Sequence, residues 1–162
     1  MAASATGELG GGPLRLLVLQ PTPYCNLDCD YCYLTTRDDR SRMSLEVLDA
    51  ALERVLSSPY VDGPYTLLWH AGEPLSVPPA FYDAATERLH AALTRHGLPT
   101  DLVQQSLQTN GISLNEAWCD CFARNGIHVG VSIDGPAFLH DVHRRTRSGL
   151  PSHGAAMRGI GL

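Results

Sequence analysis

Residues 14–34, LRLLVLQPTPYCNLDCDYCYL, set an apolar run against a polar segment that carries three of the chain's five cysteines. The run LRLLVLQ (14–20) is short and rich in Leu and Val, which predicts a buried strand. Cys25, Cys29 and Cys32 follow it, three residues and then two residues apart. Three thiolates are one too few for a closed tetrahedral zinc site or a fully ligated four-iron cluster. They suit a centre that keeps one coordination position open, as catalytic metal sites do. Structural zinc sites usually pair one C-x2-C knuckle with a second, and this sequence has no second knuckle. Three unrelated buried cysteines remain the plain alternative, although Asn, Asp and Tyr crowd the segment.

The rest of the chain alternates between two periods. Ser44 is an N-cap residue for SLEVLDAALERVLSS, where Leu45, Leu48, Leu52, Val55 and Leu56 keep helical spacing. YTLLWH (65–70) predicts a second strand, and 79–96 a helix that stops near Gly97 and Pro99. LVQQSLQT (102–109) predicts a third strand. SLNE (113–116) reads as a capping box for a helix ending at Asn125-Gly126. HVGVSID (128–134) predicts a fourth strand, and GAAMRGIGL begins a further helix. Repeated strand–helix units imply a parallel sheet with right-handed crossovers, so the fold class is α/β.

Strand parity separates two faces. Val129, Val131 and Ile133 share one side of the fourth strand, and His128, Gly130, Ser132 and Asp134 the other. In the third, Gln104, Ser106, Gln108 and Asn110 oppose Val103 and Leu107. A parallel sheet covered on both sides is apolar on both faces. A polar face on such a sheet is expected of strands that line a ligand-filled barrel. Six strand–helix units would need ~190 residues, scaling from about 250 for eight. The pattern ends after four, so the expectation is the N-terminal part of a longer, truncated barrel.

With 162 residues the chain has room for one domain, and 44% hydrophobic against 18% charged residues is the balance of an ordinary globular protein. A formal charge of −5 argues against nucleic acid as a partner. The densest basic stretch, 143–158, with Arg144, Arg145, Arg147 and Arg158, suits a solvated loop or an anion site. No apolar run approaches the ~20 residues of a membrane span. Residues 1–13 read as a disordered leader without signal-peptide character. An odd number of cysteines and no export signal predict reduced thiols and a cytoplasmic protein.

The C-x3-C-x2-C segment directly after a first strand, with aromatic Tyr31 before its last cysteine, resembles the signature of the radical S-adenosylmethionine superfamily. That resemblance implies a partial (β/α)6 barrel, here its first four parallel strands with their helices. It implies a [4Fe–4S] cluster on Cys25, Cys29 and Cys32, with S-adenosyl-L-methionine chelating the fourth iron. Reductive cleavage of the cosubstrate would give a 5′-deoxyadenosyl radical that abstracts hydrogen from an unreactive C–H bond.

Further segments carry the likeness. HAGEP (70–74) is similar to the family's Gly-Gly-Glu-Pro motif with Ala71 in place of the first glycine, and implies that Glu73 receives the cosubstrate's ammonium. QTNG (108–111) and SIDGP (132–136) fall at the C-terminal strand ends, where parallel barrels build their sites. Ser132 and Arg144 match positions that contact the cosubstrate's carboxylate, with Arg145 beside Arg144 as an alternative. Asn110 and Asp134 are implied for the ribose or the substrate pocket.

LQPTPYCNLDCDYCYL, LLWHAGEPL, QTNGISLNEAWCD and VGVSIDGPAFLHDVHR together look closest to SPASM-type, cyclophane-forming maturases of glycine-rich-repeat peptides. Anaerobic sulfatase maturases are near relatives. The implied activity is C–C cross-linking of a ribosomal precursor peptide, with oxidation of Cys or Ser to formylglycine, a non-catalytic iron–sulfur role or an inactive fragment as alternatives. An electron donor such as flavodoxin or ferredoxin is the implied partner. Two departures stand out: SGLPSH (148–153) replaces a Gly-x-Gly-like turn, and no cysteine follows Cys121, so a cluster-bearing SPASM domain is absent from these residues. Cys121 and, beside it, Cys119 read as a helix pair rather than ligands. His70 reads as a hydrogen-bonded strand end, His140 and His143 as exposed, Asp28 and Asp30 as solvating the loop, and Trp69 and Trp118 as core.

Overall fold

The computed structural model describes residues 12–162, so all but the last two residues of the expected leader lie outside the described residues. Four strands form one parallel sheet in sequence order: β1 (Leu16–Leu19), β2 (Tyr65–Trp69), β3 (Val103–Thr109) and β4 (Ile127–Val131). Helices α1 (Leu45–Leu56), α2 (Pro79–Arg95) and α3 (Glu116–Asn125) connect them, and α4 (Ala137–His143) and α5 (His153–Ile160) follow β4. This is the expected α/β arrangement of four parallel strands alternating with helices. Among the described residues no helix is long and apolar enough to cross a membrane.

Register places Leu19, Trp69, Leu107 and Val129 in one row across the sheet. That row lies on the face packed by helices. Leu67, Trp69 and Leu107 are buried there against Leu48 and Leu52 of α1, Leu89 and Leu93 of α2, and Trp118, Cys121 and Phe122 of α3. Tyr82 is the hub of the aromatic contacts, edge-on to Trp69, Phe81 and Trp118. The opposite face carries Gln104, Ser106, Gln108 and His128 on β3 and β4, as parity requires, but Leu16 and Val18 are half-exposed there on β1.

Local chemistry fixes most boundaries. Ser44 caps α1 by accepting from the Val47 N–H, and Gly126 takes the left-handed conformation that closes α3. The cap of α3 is Asn115, whose side chain accepts from the Trp118 N–H at 3.1 Å, and not Ser113. Ser113 instead accepts from Asn26. β4 ends at Val131, short of the expected 134, so Ser132 and Asp134 sit in the loop beyond it. The helical face of β3 also holds a buried glutamine. Gln105 accepts from the Trp69 indole N–H at 3.1 Å and donates to Thr86 at 3.0 Å. Those bonds satisfy a polar group that the alternating pattern alone would not place inside.

Leu67 is wholly buried in the central part of the sheet. Leu67→Ala is expected to lower the unfolding free energy by about 3 kcal/mol through lost transfer energy and a residual cavity, measured by denaturant unfolding.

Candidate functional site

The C-terminal ends of all four strands open on one side of the sheet, and the loops leaving them enclose a cavity of about 160 Å³. Cys25, Cys29, Cys32 and Tyr31 reach it from the loop after β1, His70 and Glu73 from the turn after β2, Asn110 from β3, and Ser132 and Arg144 from beyond β4. Asp134 touches Tyr31 and Arg144 at its edge. A larger hollow of about 470 Å³ lies at the opposite strand ends, beside Arg15, Asp101 and Gln104, and holds none of the cysteines.

Glu73 is 1% exposed. Its carboxylate accepts from the Leu75 N–H at 2.9 Å, the Thr109 hydroxyl at 2.6 Å and the Asn110 N–H at 2.9 Å. Burial pushes its carboxyl up, and these three donors oppose that shift. Asn110 carries the connection onward, its amide donating to Asn26 Oδ1 at 2.7 Å and lying 3.9 Å from Cys25 Sγ. Asn26 was not legible in the sequence, because the contact spans 84 positions.

The turn that delivers Glu73 is tight. Gly72 has φ of +64°, and a Cβ there would stand 2.2 Å from the Thr22 carbonyl oxygen. Ala71 also has positive φ, +72°, the left-handed region that suits glycine. The alanine noted at the first position of HAGEP therefore occupies a strained backbone site.

Burial, first, pushes the Cys25 thiol up to about 11, with Glu73 and the other two cysteines adding and the Leu27 N–H opposing. Burial also raises Cys29, against the pull of the Arg144 guanidinium. Among the described residues no three His, Cys, Asp or Glu side chains are placed to hold a single metal ion. Three sulfur donors around one cavity fit a multi-iron cluster, whose ligands each take a different iron.

Arg144 donates from Nε to Asp134 at 2.9 Å and lies over the Tyr31 ring, whose phenol donates to the same carboxylate. Desolvation alone would raise Asp134, but Tyr31 and Arg144 outweigh it and hold its carboxyl below the usual range. Arg145 points away, to the Asp141 carbonyl, so Arg144 is the arginine at the cavity. Ser132 Oγ accepts from the Gln108 amide at 2.8 Å, which leaves its own proton free to donate.

Some expectations need correcting. His140 is 1% exposed rather than surface-exposed. It accepts from the Asp134 N–H at 3.4 Å and meets Ser152 Oγ at 3.0 Å, because α4, absent from the sequence reading, turns it inward. His143 is exposed as expected and pairs with Asp30, while Asp28 pairs with Arg37, so both aspartates tie the loop down as well as solvate it. Cys121 is buried and Cys119 faces a hollow between α3, β4 and α5, both away from the cavity. Trp69 and Trp118 are core.

Residues 19–161 match the Radical SAM superfamily. The chain belongs to that family, whose members are enzymes that use a [4Fe–4S] cluster and S-adenosylmethionine. It is 46% identical over 149 residues to an uncharacterized protein of Synechocystis sp., covering 92% of this chain and 37% of that one. It is 36% identical over 157 residues to the serine-type anaerobic sulfatase-maturating enzyme of Bacteroides thetaiotaomicron, covering 93% and 36%. A solved structure of native anSMEcpe with bound AdoMet and Cp18Cys peptide superposes with a TM-score of 0.76 at 29% identity, covering 92% of this chain and 39% of that one. The chain thus spans less than two fifths of the length of these relatives.

Ala71→Gly is expected to stabilise the protein by about 1 kcal/mol by removing the left-handed penalty. Gly72→Ala is expected to destabilise it by several times that through the carbonyl clash, and thermal unfolding of both variants checks the pair.

Proposed function

We propose that this chain is the cluster- and cosubstrate-binding part of a radical enzyme that modifies a peptide. The observation that carries the reading is the convergence of three cysteines with Glu73, Ser132 and Arg144 on one cavity at the strand ends. Residues 14–162 are proposed as the N-terminal part of the family's core domain, in keeping with their share of the relatives' length.

Cys25, Cys29 and Cys32 would ligate a [4Fe–4S] cluster, each giving up a proton to bind. S-adenosylmethionine would take the remaining iron. When bound and reduced by a donor such as flavodoxin or ferredoxin, these groups supply a 5′-deoxyadenosyl radical for hydrogen abstraction. Glu73 has about one acceptor position left for an ammonium, since three of roughly four on a carboxylate are already filled. Ser132 offers its hydroxyl proton and Arg144 its remaining N–H groups to a carboxylate. Tyr31, held against Asp134, and Asn110 would border the adenosine and the substrate.

Two peptide modifications fit. Likeness to sulfatase-maturating enzymes supports oxidation of Cys or Ser to formylglycine. The motif pattern supports C–C cross-linking within a ribosomal precursor. Cross-linking and serine oxidation both remove two hydrogens, so trapping with a hydrazide, which captures only the aldehyde, separates those two.

Anaerobic reconstitution with iron and sulfide, reduction and addition of S-adenosylmethionine are expected to yield 5′-deoxyadenosine, measured by chromatography. A Cys25→Ala, Cys29→Ala, Cys32→Ala control is expected to yield none. A loaded cluster that cleaves no cosubstrate would leave the iron–sulfur protein reading standing in its place. Arg144→Ala is expected to weaken cosubstrate binding on the order of tenfold or more at unchanged iron content, measured by anaerobic equilibrium binding.

A further inference from the structure

The basic stretch after α4 is neither a free solvated loop nor an anion site at Arg147. We propose that Arg147 is a positioning residue that clamps the cysteine-bearing loop shut and thereby sets how firmly that loop keeps its cluster. The inference rests on Cys25, Cys29 and Cys32 being the cluster ligands.

The neck of the loop is one backbone hydrogen bond, from the Cys25 N–H to the Arg37 carbonyl at 3.1 Å. Cys25 is one of those ends, and Cys29 and Cys32 lie between them. Arg147 spans the neck: Nε donates to the Cys25 carbonyl at 2.7 Å, Nη2 donates to the Arg37 carbonyl at 2.5 Å, and Nη1 pairs with Asp38. The guanidinium carbon also stands 5.3 Å from the centre of the Tyr24 ring, beside the neck. Only a planar group with several donors in fixed directions can hold two carbonyls and a carboxylate together, and a lysine ammonium cannot reproduce that fork.

The clamp ends a short strap that runs antiparallel to the loop. Asp28 N–H donates to the Arg145 carbonyl at 2.8 Å, Asp30 N–H donates to the His143 carbonyl at 3.3 Å, and Leu27 bridges to Thr146. The strap includes Arg144, so the loop that carries the thiols and the arginine that faces the cavity are held as one piece. Order imposed at either is therefore shared by the other.

The test compares the intact chain with Arg147→Ala, Arg147→Lys and Arg145→Ala. Arg145 carries the same charge two positions away, but its side chain bonds to Asp141 and not to the loop. The readouts are iron release to a chelator from the anaerobically reconstituted proteins, chymotryptic cleavage after Tyr33 in the metal-free proteins, and the unfolding midpoint. Arg147→Ala is expected to release iron, and to be cut after Tyr33, on the order of tenfold faster than wild type. Arg147→Lys is expected to fall between them, and Arg145→Ala to match wild type, all at similar unfolding midpoints. Equal rates in Arg147→Ala and wild type, or equal rates in Arg147→Ala and Arg145→Ala, overturn the clamp. Should Arg147→Ala fail to fold, Arg147→Lys decides, since wild-type retention by lysine also overturns it. Wild-type protein that takes up no iron and sulfide overturns the cluster assignment instead, and the metal-free cleavage rates still judge the clamp.

Discussion

The site is assembled around one buried carboxylate. Glu73 sits in the turn after β2, and its oxygens collect the Leu75 N–H, the Thr109 hydroxyl and the Asn110 N–H. Leaving a carboxylate in such a place without donors would cost several kcal/mol, so the ends of β2 and β3 must stay together. Asn110 then passes the constraint to Asn26, and so to the backbone beside Cys25. The residue proposed to receive a cosubstrate's ammonium thus also pins two strand ends and, through Asn110 and Asn26, the first cysteine. The Glu73 N–H donates to the Tyr24 carbonyl at 2.7 Å, which fastens the same turn to the cysteine loop from its other side.

The sequence made the sheet legible because its pattern is strict. Leu67 and Trp69 on β2, Leu107 on β3 and the leucines of α1 and α2 keep the periods of two and 3.6 residues that burial on one face demands. Ser44 and Gly126 signalled helix ends by chemistry that acts within three residues. The site was legible in its residue types, since cysteine spacing and the strand-end segments HAGEP and SIDGP are local. Most of what stayed hidden is long-range. The Asn26–Asn110 bond and the grip of Arg147 on the cysteine loop join positions far apart in the chain, whereas His140 was missed because a short local helix, α4, turns it toward Asp134 and Ser152. Gln105 stayed hidden for another reason: a polar residue on a buried face is stable there because Trp69 and Thr86 complement it.

Two features mark how the loop after β1 differs from an ordinary connection. It is long and polar, yet side-chain contacts on both flanks fasten it, an Arg37–Asp28 ion pair and a His143–Asp30 hydrogen bond, with the antiparallel strap between them. Burial raises the Cys25 and Cys29 thiols, so on the proposed reading these two give up protons when a cluster binds.

The most direct test of the central claim is a magnetic-resonance measurement on the reduced, reconstituted protein with S-adenosylmethionine carrying isotope labels on its amino nitrogen and carboxylate oxygens. The account predicts electron–nuclear coupling from both labels to the cluster, which requires the cosubstrate to ligate the iron that Cys25, Cys29 and Cys32 leave open. A cluster signal that is unchanged by the labelled cosubstrate would contradict it.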